Sequence, residues 1–427
     1  MKEALLHYVW ASHRIPKKEL FTTENEVLEI RNTGQHNHAS GPDFFNARVS
    51  IDGQEWGGNV EIHRNASDWY AHGHEKDPNY DNVVLHVVWV DDVAIFRRDG
   101  SRIPTLELKR FVGSDLLSRY QRVFENQQVR FIPCERNLKA VPHDVVSIWQ
   151  QRLYVARLLT KSEEIKTSME ATQNHWEAIL FRSLMKGFGL NKNGGAFKAL
   201  AEHLDFSLIK KLFHRPFSLE TLLFGLAGFL ENEKAHDPYF LKQVAHYRFL
   251  KNTYGIRPYL GPRPEFFGLR PANFPTIRLA QLVQLYALRS DLFQKVMRMN
   301  NLNDFYDLFR VSVSDYWKTH YTFGKLSAKR NKQVSKTTVH LLIGNTIVPL
   351  KLMYAQSRGN DISEEVIGLM RTLPREKNGI LDQFETIGLS ASNAFESQAN
   401  LGLYHDYCSK GRCLQCSIGI HLLGRKR

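Results

Sequence analysis

Residues 41–63 read GPDFFNARVSIDGQEWGGNVEIH, and the fold class turns on this stretch. Phe44–Ile51 alternates apolar and polar side chains with the period of a half-buried strand. Asp52-Gly53 signals a tight hairpin turn, so Glu55–His63 is expected as the returning strand. The period of two then puts Glu61 and His63 on one face. Seventeen residues lie between Asp43 and Glu61, and two antiparallel strands joined by a turn bring such positions side by side. An Asp and a Glu so placed are expected to share a divalent cation, Mg²⁺ or Mn²⁺, which takes oxygen ligands and keeps waters for chemistry. A polar group two residues after the Glu, here His63, can orient or activate the attacking water.

Working outward, Leu5–Ser12 is apolar enough for an opening helix, and Val27–Arg31 alternates as a strand. Ser67-Asp68 can cap a short helix through Trp69 to about His72. Asn82–Val90 (NVVLHVVWV) is a nearly continuous β-branched run, the mark of a strand buried on both faces. Weaker strands are expected at Ala94–Arg98 and Thr105–Lys109. The order is helix, three strands, helix, strand.

From Pro142 the period changes from two to 3.6. Val145, Ile148, Trp149, Leu153, Ala156 and Leu159 fall on one helical face, and similar faces recur through Ala391–Tyr404. Gly255–Pro275 is the long irregular insertion. The fold class expected is α+β: an α/β domain over 1–133, a basic, mostly α-helical domain over 134–407, and a cysteine-rich tail over 408–427.

Pro42-Asp43 and Glu61-Ile62-His63, on these elements in this order, resemble the PD-(D/E)XK nuclease superfamily. Its core is helix, three strands, helix, strand, with an Asp opening the second strand and Glu-X-Lys on the third. The resemblance covers roughly residues 1–92 and implies that Asp43 and Glu61 bind the metal while His63 stands where lysine is usual. Histidine can position water or act as a base but lacks lysine's permanent charge. The wider pattern of GPDF, GNVEIH, SDW, HGH and LHVVW is similar to an uncharacterised bacterial domain-of-unknown-function family, which implies no activity.

The histidines support a second enzymatic reading. His63, His72, His74 and His86, with Asp68 and Asp77, offer ligands for a zinc or manganese hydrolase, although no HExxH motif is present. His72 and His74 are possible additional ligands or exposed residues at a helix end. His86, mid-strand, reads more readily as a hydrogen-bonded core histidine. A third possibility is a non-catalytic nucleic-acid-binding or scaffold protein on a degenerate nuclease fold.

Cys408-x₄-Cys413-x₂-Cys416 carries a metal-knuckle spacing, and Cys134 is the remaining cysteine. Together they suit a four-thiolate zinc site or an iron–sulfur cluster that would tie the tail back to the domain junction; free buried thiols are the alternative.

Lys and Arg number 57 against 44 Asp and Glu, a net of +13. Residues 1–133 hold 16 basic and 19 acidic side chains, leaving 41 and 25 for the remainder. That asymmetry points to a polyanionic partner, nucleic acid, held by the second part. Lys242–Arg278 interleaves seven basic residues, among them Arg248, Lys251, Arg257, Arg263 and Arg270, with aromatic rings and a single acid, Glu265. Arginines that bind phosphates beside rings that stack on bases would make a single-strand surface. Lys325–Lys336 is a second basic run. No apolar stretch approaches the ~20 residues of a membrane span, and the N-terminus lacks the features of a signal peptide. With few cysteines, a reduced, cytoplasmic protein is expected.

Overall fold

The computed structural model describes residues 3–12, 20–37, 40–125, 131–231, 237–289 and 291–424; the last three residues of the tail lie outside them. The chain forms two compact units, one of residues 1–149 with 404–427 and one of residues 150–403. The tail thus belongs to the first unit rather than standing apart.

The first unit opens with α1 (Glu3–Ala11) and continues into seven strands: β1 (Leu20–Phe21), β2 (Val27–Asn32), β3 (Gln35–His36), β4 (Phe44–Ile51), β5 (Gln54–Asn65), β6 (Val83–Val90) and β7 (Thr105–Glu107). They form one sheet in the order β1-β2-β4-β5-β6-β7, with β3 on β4. Pairing is antiparallel as far as β5 and parallel from β5 to β7. The β4–β5 turn sits at Asp52 (φ 47°) and Gly53 (φ 84°). This is the left-handed pair that matches the strand twist. Asp52 also accepts the Val27 N–H at 2.7 Å, tying the turn to β2. A parallel β5–β6 pair requires a crossover, and this one carries α2 (Asp68–Ala71).

Alternation along the strands gives the sheet two buried faces. Leu5, Leu6, Val9 and Trp10 of α1 pack on Ala47, Val49, Val60, Ile62, Leu85 and Val87, and Leu423 of the tail joins that core. On the opposite face, Ala66, Trp69 and Tyr80 from the crossover cover Val83 and Val88, with Ile95 and Ile103 beside them. Ala94–Arg98 does not form a strand. Arg97 turns its guanidinium back onto the Val83 carbonyl (2.8 Å) and its N–H onto Ser101, so only a bridge between Phe96 and Arg102 remains. Thr105–Lys109 keeps three residues of strand before Leu108 turns into the core.

The second unit is helical. The division falls within α4 (His143–Ala171), followed by α5 (Trp176–Phe188), α6 (Leu190–His203) and further helices ending with Ala394–Gly402. Pro216, Pro238 and Pro275 each open a helix, where a missing N–H costs nothing. The buried stripe of α4 is Trp149, Leu153, Tyr154, Leu158 and Ile165, while Ile148 and Leu159 face solvent. The apolar period alone misplaces that stripe because polar pins set the rotation: Gln150 bonds Asn400 at 2.8 Å and Arg157 bonds Gln398 at 2.6 Å. Among the described residues, no helix is long and apolar enough to cross a membrane.

Candidate metal centre

Glu61 and His63 project from β5 onto the face that carries α2, and both are buried. The chain leaves β5, forms α2 and returns with His72 and His74 over the same spot. His63 Nε2 lies 3.4 Å from Glu61 Oε1 and 3.1 Å from His72 Nδ1, and His74 Nε2 lies 3.3 Å from the same Glu61 oxygen. Ligand atoms of His63, His72 and His74 all fall within 4.8 Å of one another. His74 is stacked on Tyr80, with ring centroids 3.8 Å apart, and meets Trp69 edge-on, so its orientation is fixed by packing. Its Nε2 is buried yet makes no well-aligned hydrogen bond. His72 is exposed, which leaves the cluster open to solvent on one side.

Behind the cluster, His86 on β6 is fully buried and meets His63 Nδ1 through its Nε2 at 2.8 Å. It is a partner of His63, and its other ring nitrogen, Nδ1, is buried without a hydrogen bond among the described residues. Burial, reinforced by His74 and His72, lowers the His63 pKa to about 3, so the ring is neutral at physiological pH. Burial also lowers His86. Burial raises the Glu61 carboxyl, outweighing the opposing pull of His74, and the Asp43 charge adds to the rise.

Asp43, at the mouth of β4, lies beside this group. Its backbone N–H donates to Glu61 Oε2 (3.1 Å), and its Oδ2 accepts the Ile62 N–H (2.9 Å). The hairpin therefore brings the two acidic residues together, each tied to the other's strand by a backbone N–H. His7 of α1 reaches the same Asp43 oxygen at 3.3 Å. Burial alone would lower the His7 pKa; Asp43, with Glu3 and Glu61 behind it, raises it instead. His36 stacks on Phe44 next to His7. Neither His7 nor His36 is marked by local spacing. A lone histidine in the apolar helix ALLHYVW is the one signal the sequence offers.

Imidazole nitrogens and a carboxylate are the donor set of zinc and manganese rather than of magnesium. A tetrahedral ion with ligands at ~2.0–2.1 Å sets its donors about 3.3–3.4 Å apart, the spacing found between Glu61 Oε1 and its two histidine neighbours. The cluster fits such an ion.

The family model described as "Protein of unknown function (DUF2851)" matches residues 3–379. The chain belongs to the DUF2851 family. No curated protein and no solved structure matches it. In this DUF2851 protein the matched stretch contains Asp43, Glu61 and all the clustered histidines, and it ends before the three tail cysteines.

Those cysteines lie in the first unit with Cys134. Phe131 stacks on Tyr404 (5.1 Å) and Trp149 meets Tyr407 edge-on (5.2 Å), which lays the 131–149 segment along the tail. None of the four forms a disulfide among the described residues. Burial pushes the Cys134 thiol up to about 12, with Cys413 and Cys416 adding to the rise. Cys408 is raised by burial and then by the other three. At Cys416 burial again raises the pKa, while the N–H groups of Gly419 and Ile418 hydrogen-bond the sulfur and favour the thiolate.

In the second unit, Arg248, Lys251, Arg257 and Arg270 are exposed around the irregular 255–274 stretch. Arg263 is exposed as well but spends its guanidinium on Glu231, at 2.5 and 2.9 Å. The neighbouring rings divide: Phe266 packs on Phe229 and Phe274, whereas Phe249 and Phe267 are open to solvent. Lys332 of the second basic run is buried, its ammonium donating to the Trp317 and His320 carbonyls at 2.6 Å each.

Proposed function

We propose that this DUF2851 protein is a metal-dependent hydrolase of phosphodiester bonds in nucleic acid, with zinc or manganese held by Glu61, His63, His72 and His74. The observation that carries the reading is the cluster of His63, His72 and His74, with Glu61 Oε1 3.4 Å from His63 and 3.3 Å from His74, beside a second carboxylate. The strand order, antiparallel to β5 and parallel beyond, agrees with the αβββαβ order of the nuclease superfamily and supports phosphodiesters as the substrate class. The basic excess beyond residue 133 supports a polyanion.

In this reading His63 is a ligand rather than a free base, since both of its nitrogens are engaged. Asp43, whose Oδ2 accepts the Ile62 N–H and lies 3.3 Å from His7, would orient the attacking water. The metal, when bound, supplies Lewis acidity toward the phosphoryl group. The four cysteines form a second, structural site in the same proposal, for zinc or an iron–sulfur cluster.

Purification without oxygen, elemental analysis and a cleavage screen on single-stranded DNA, duplex DNA and RNA test this. Glu61→Gln and His72→Ala should remove one metal equivalent and abolish cleavage. A protein that binds oligonucleotides yet cuts none in Zn²⁺, Mn²⁺ or Mg²⁺ would favour the degenerate-fold reading, which the absent lysine supports. Cleavage confined to small activated esters would favour a hydrolase of another substrate class.

A further inference from the structure

A cavity of about 450 Å³ opens in the helical unit between α4, α5, α6 and the segment around Asn345. Four cations line it, Lys161, Arg182, Lys186 and Lys198, against one acid, Glu164. Lys186 is paired with Glu164, and Lys198 with Glu202 outside the cavity. Lys161 bonds only neutral oxygens, those of Asn345 (2.7 Å) and Gln398 (2.9 Å). Arg182 is half-buried and has no ion-pair or hydrogen-bond partner among the described residues. Two cations are therefore held in a concave wall with no ion-pair partner among the described residues, Glu376 acting on Lys161 only from farther away.

Collecting like charges in a recess is unfavourable unless something neutralises them. Burial, with Arg157 next in effect, lowers Lys161 to about 7, which shows how poorly this ammonium is compensated. Near neutral pH a phosphate monoester carries roughly −1.5 to −2, matching Lys161 and Arg182 together. A guanidinium is suited to two parallel bonds with it. Ile165, Leu190 and Leu341 supply apolar wall for an organic body. The volume lies within the ~300–1,000 Å³ of small-molecule sites and suits a whole small molecule better than a length of polymer backbone.

We infer that this cavity binds a small organic phosphate monoester, its phosphate on Arg182 and Lys161. The site is independent of the hydrolase reading, because none of its residues belongs to the metal cluster. Gly195 lines the cavity, and a side chain added there meets no atom within 4 Å. Gly195→Leu would therefore add bulk to the cavity while leaving all four cations in place, and within a helix it should not impair folding.

Calorimetric titration of the full chain with AMP, glucose 6-phosphate, inorganic phosphate and a 20-nucleotide single-stranded DNA tests the site. At least one ester should bind more tightly than inorganic phosphate. Arg182→Met and Gly195→Leu should each weaken it tenfold or more, while Glu61→Gln leaves it unchanged; AMP against glucose 6-phosphate reports which organic body is preferred. The inference is overturned if neither ester saturates, if inorganic phosphate binds as tightly, if Gly195→Leu has no effect, or if only the oligonucleotide responds to these substitutions.

Discussion

A histidine can ligate a metal only through a nitrogen that carries a lone pair, and the partner of its other nitrogen decides which one that is. His86 has that position behind His63. If His63 Nδ1–H donates to His86 Nε2, the lone pair of His63 Nε2 is the one that faces Glu61 and His72. His86→Leu should therefore weaken metal affinity ten- to a hundredfold while far-UV circular dichroism is unchanged, and His86→Gln should restore part of the loss. Equal affinity in His86→Leu and the parent protein would remove His86 from the site. Glu220 shows a buried acid put to structural use. It is fully buried, and its Oε1 accepts from Tyr239 (2.6 Å), Trp317 (2.9 Å) and Gln243 (2.9 Å). Burial raises its pKa to about 7 from an ordinary value of 4.5. The folded state therefore holds a proton that the unfolded chain has released, so the stability Glu220 contributes is full below about pH 4.5 and lost as pH rises through 7. Glu220→Gln keeps the acceptor and removes the titration. Its melting temperature relative to the parent should rise between pH 5 and pH 8, by the equivalent of a few kcal/mol; a constant difference would contradict the assignment.

At the scale of elements, the site depends on how closely β5 approaches β6. Gly58 stands where the two meet, and a methyl group there would come within 2.6 Å of the Asn82 carbonyl oxygen and collide with Val84. Glu61 and His63 follow three and five residues along the same strand. Gly58→Ala should cost ~1–3 kcal/mol by overpacking and weaken metal binding with it. At the adjacent Gly57, where an added methyl meets nothing within 4 Å, alanine should change stability by under ~0.5 kcal/mol. Equal melting temperatures for the two variants would show that the approach of β5 to β6 does not constrain the site. The strands that build this frame are legible in the sequence because their patterns are local: alternation in Phe44–Ile51, an Asp-Gly turn, a β-branched run before and after His86. The rotation of α4 is not, because it is set by bonds to residues some 240 positions away. The proposed metal cluster is half legible. Glu61-x-His63 and His72-x-His74 are visible as pairs, but their convergence follows from the crossover that folds α2 back over β5. His7 approaches Asp43 only through the packing of α1, which no spacing reveals.

At the scale of the whole molecule, the second unit, residues 150–403, is an insertion within the first. The tail must return to residues 1–149 after more than two hundred and fifty residues, and closing so long a loop has an entropic cost that grows only slowly with length. Leu414 and Leu423 give the tail an apolar anchor in the sheet core, and a metal shared by Cys134 with Cys408, Cys413 and Cys416 would add a bond between the two ends, coupling metal binding to the folding of this unit alone. Each unit has its own core, so calorimetry should resolve two transitions. Cys134→Ser, or a strong thiophilic chelator added to the parent, should lower one of them by several degrees and leave the other in place. The loss of iron or zinc should be the same for Cys134→Ser as for Cys413→Ser, since one site missing any ligand is the same broken site. If Cys134→Ser moved neither transition and kept its full metal content, the three tail cysteines would have to close their site without it, and the return of the tail would rest on its apolar anchor alone.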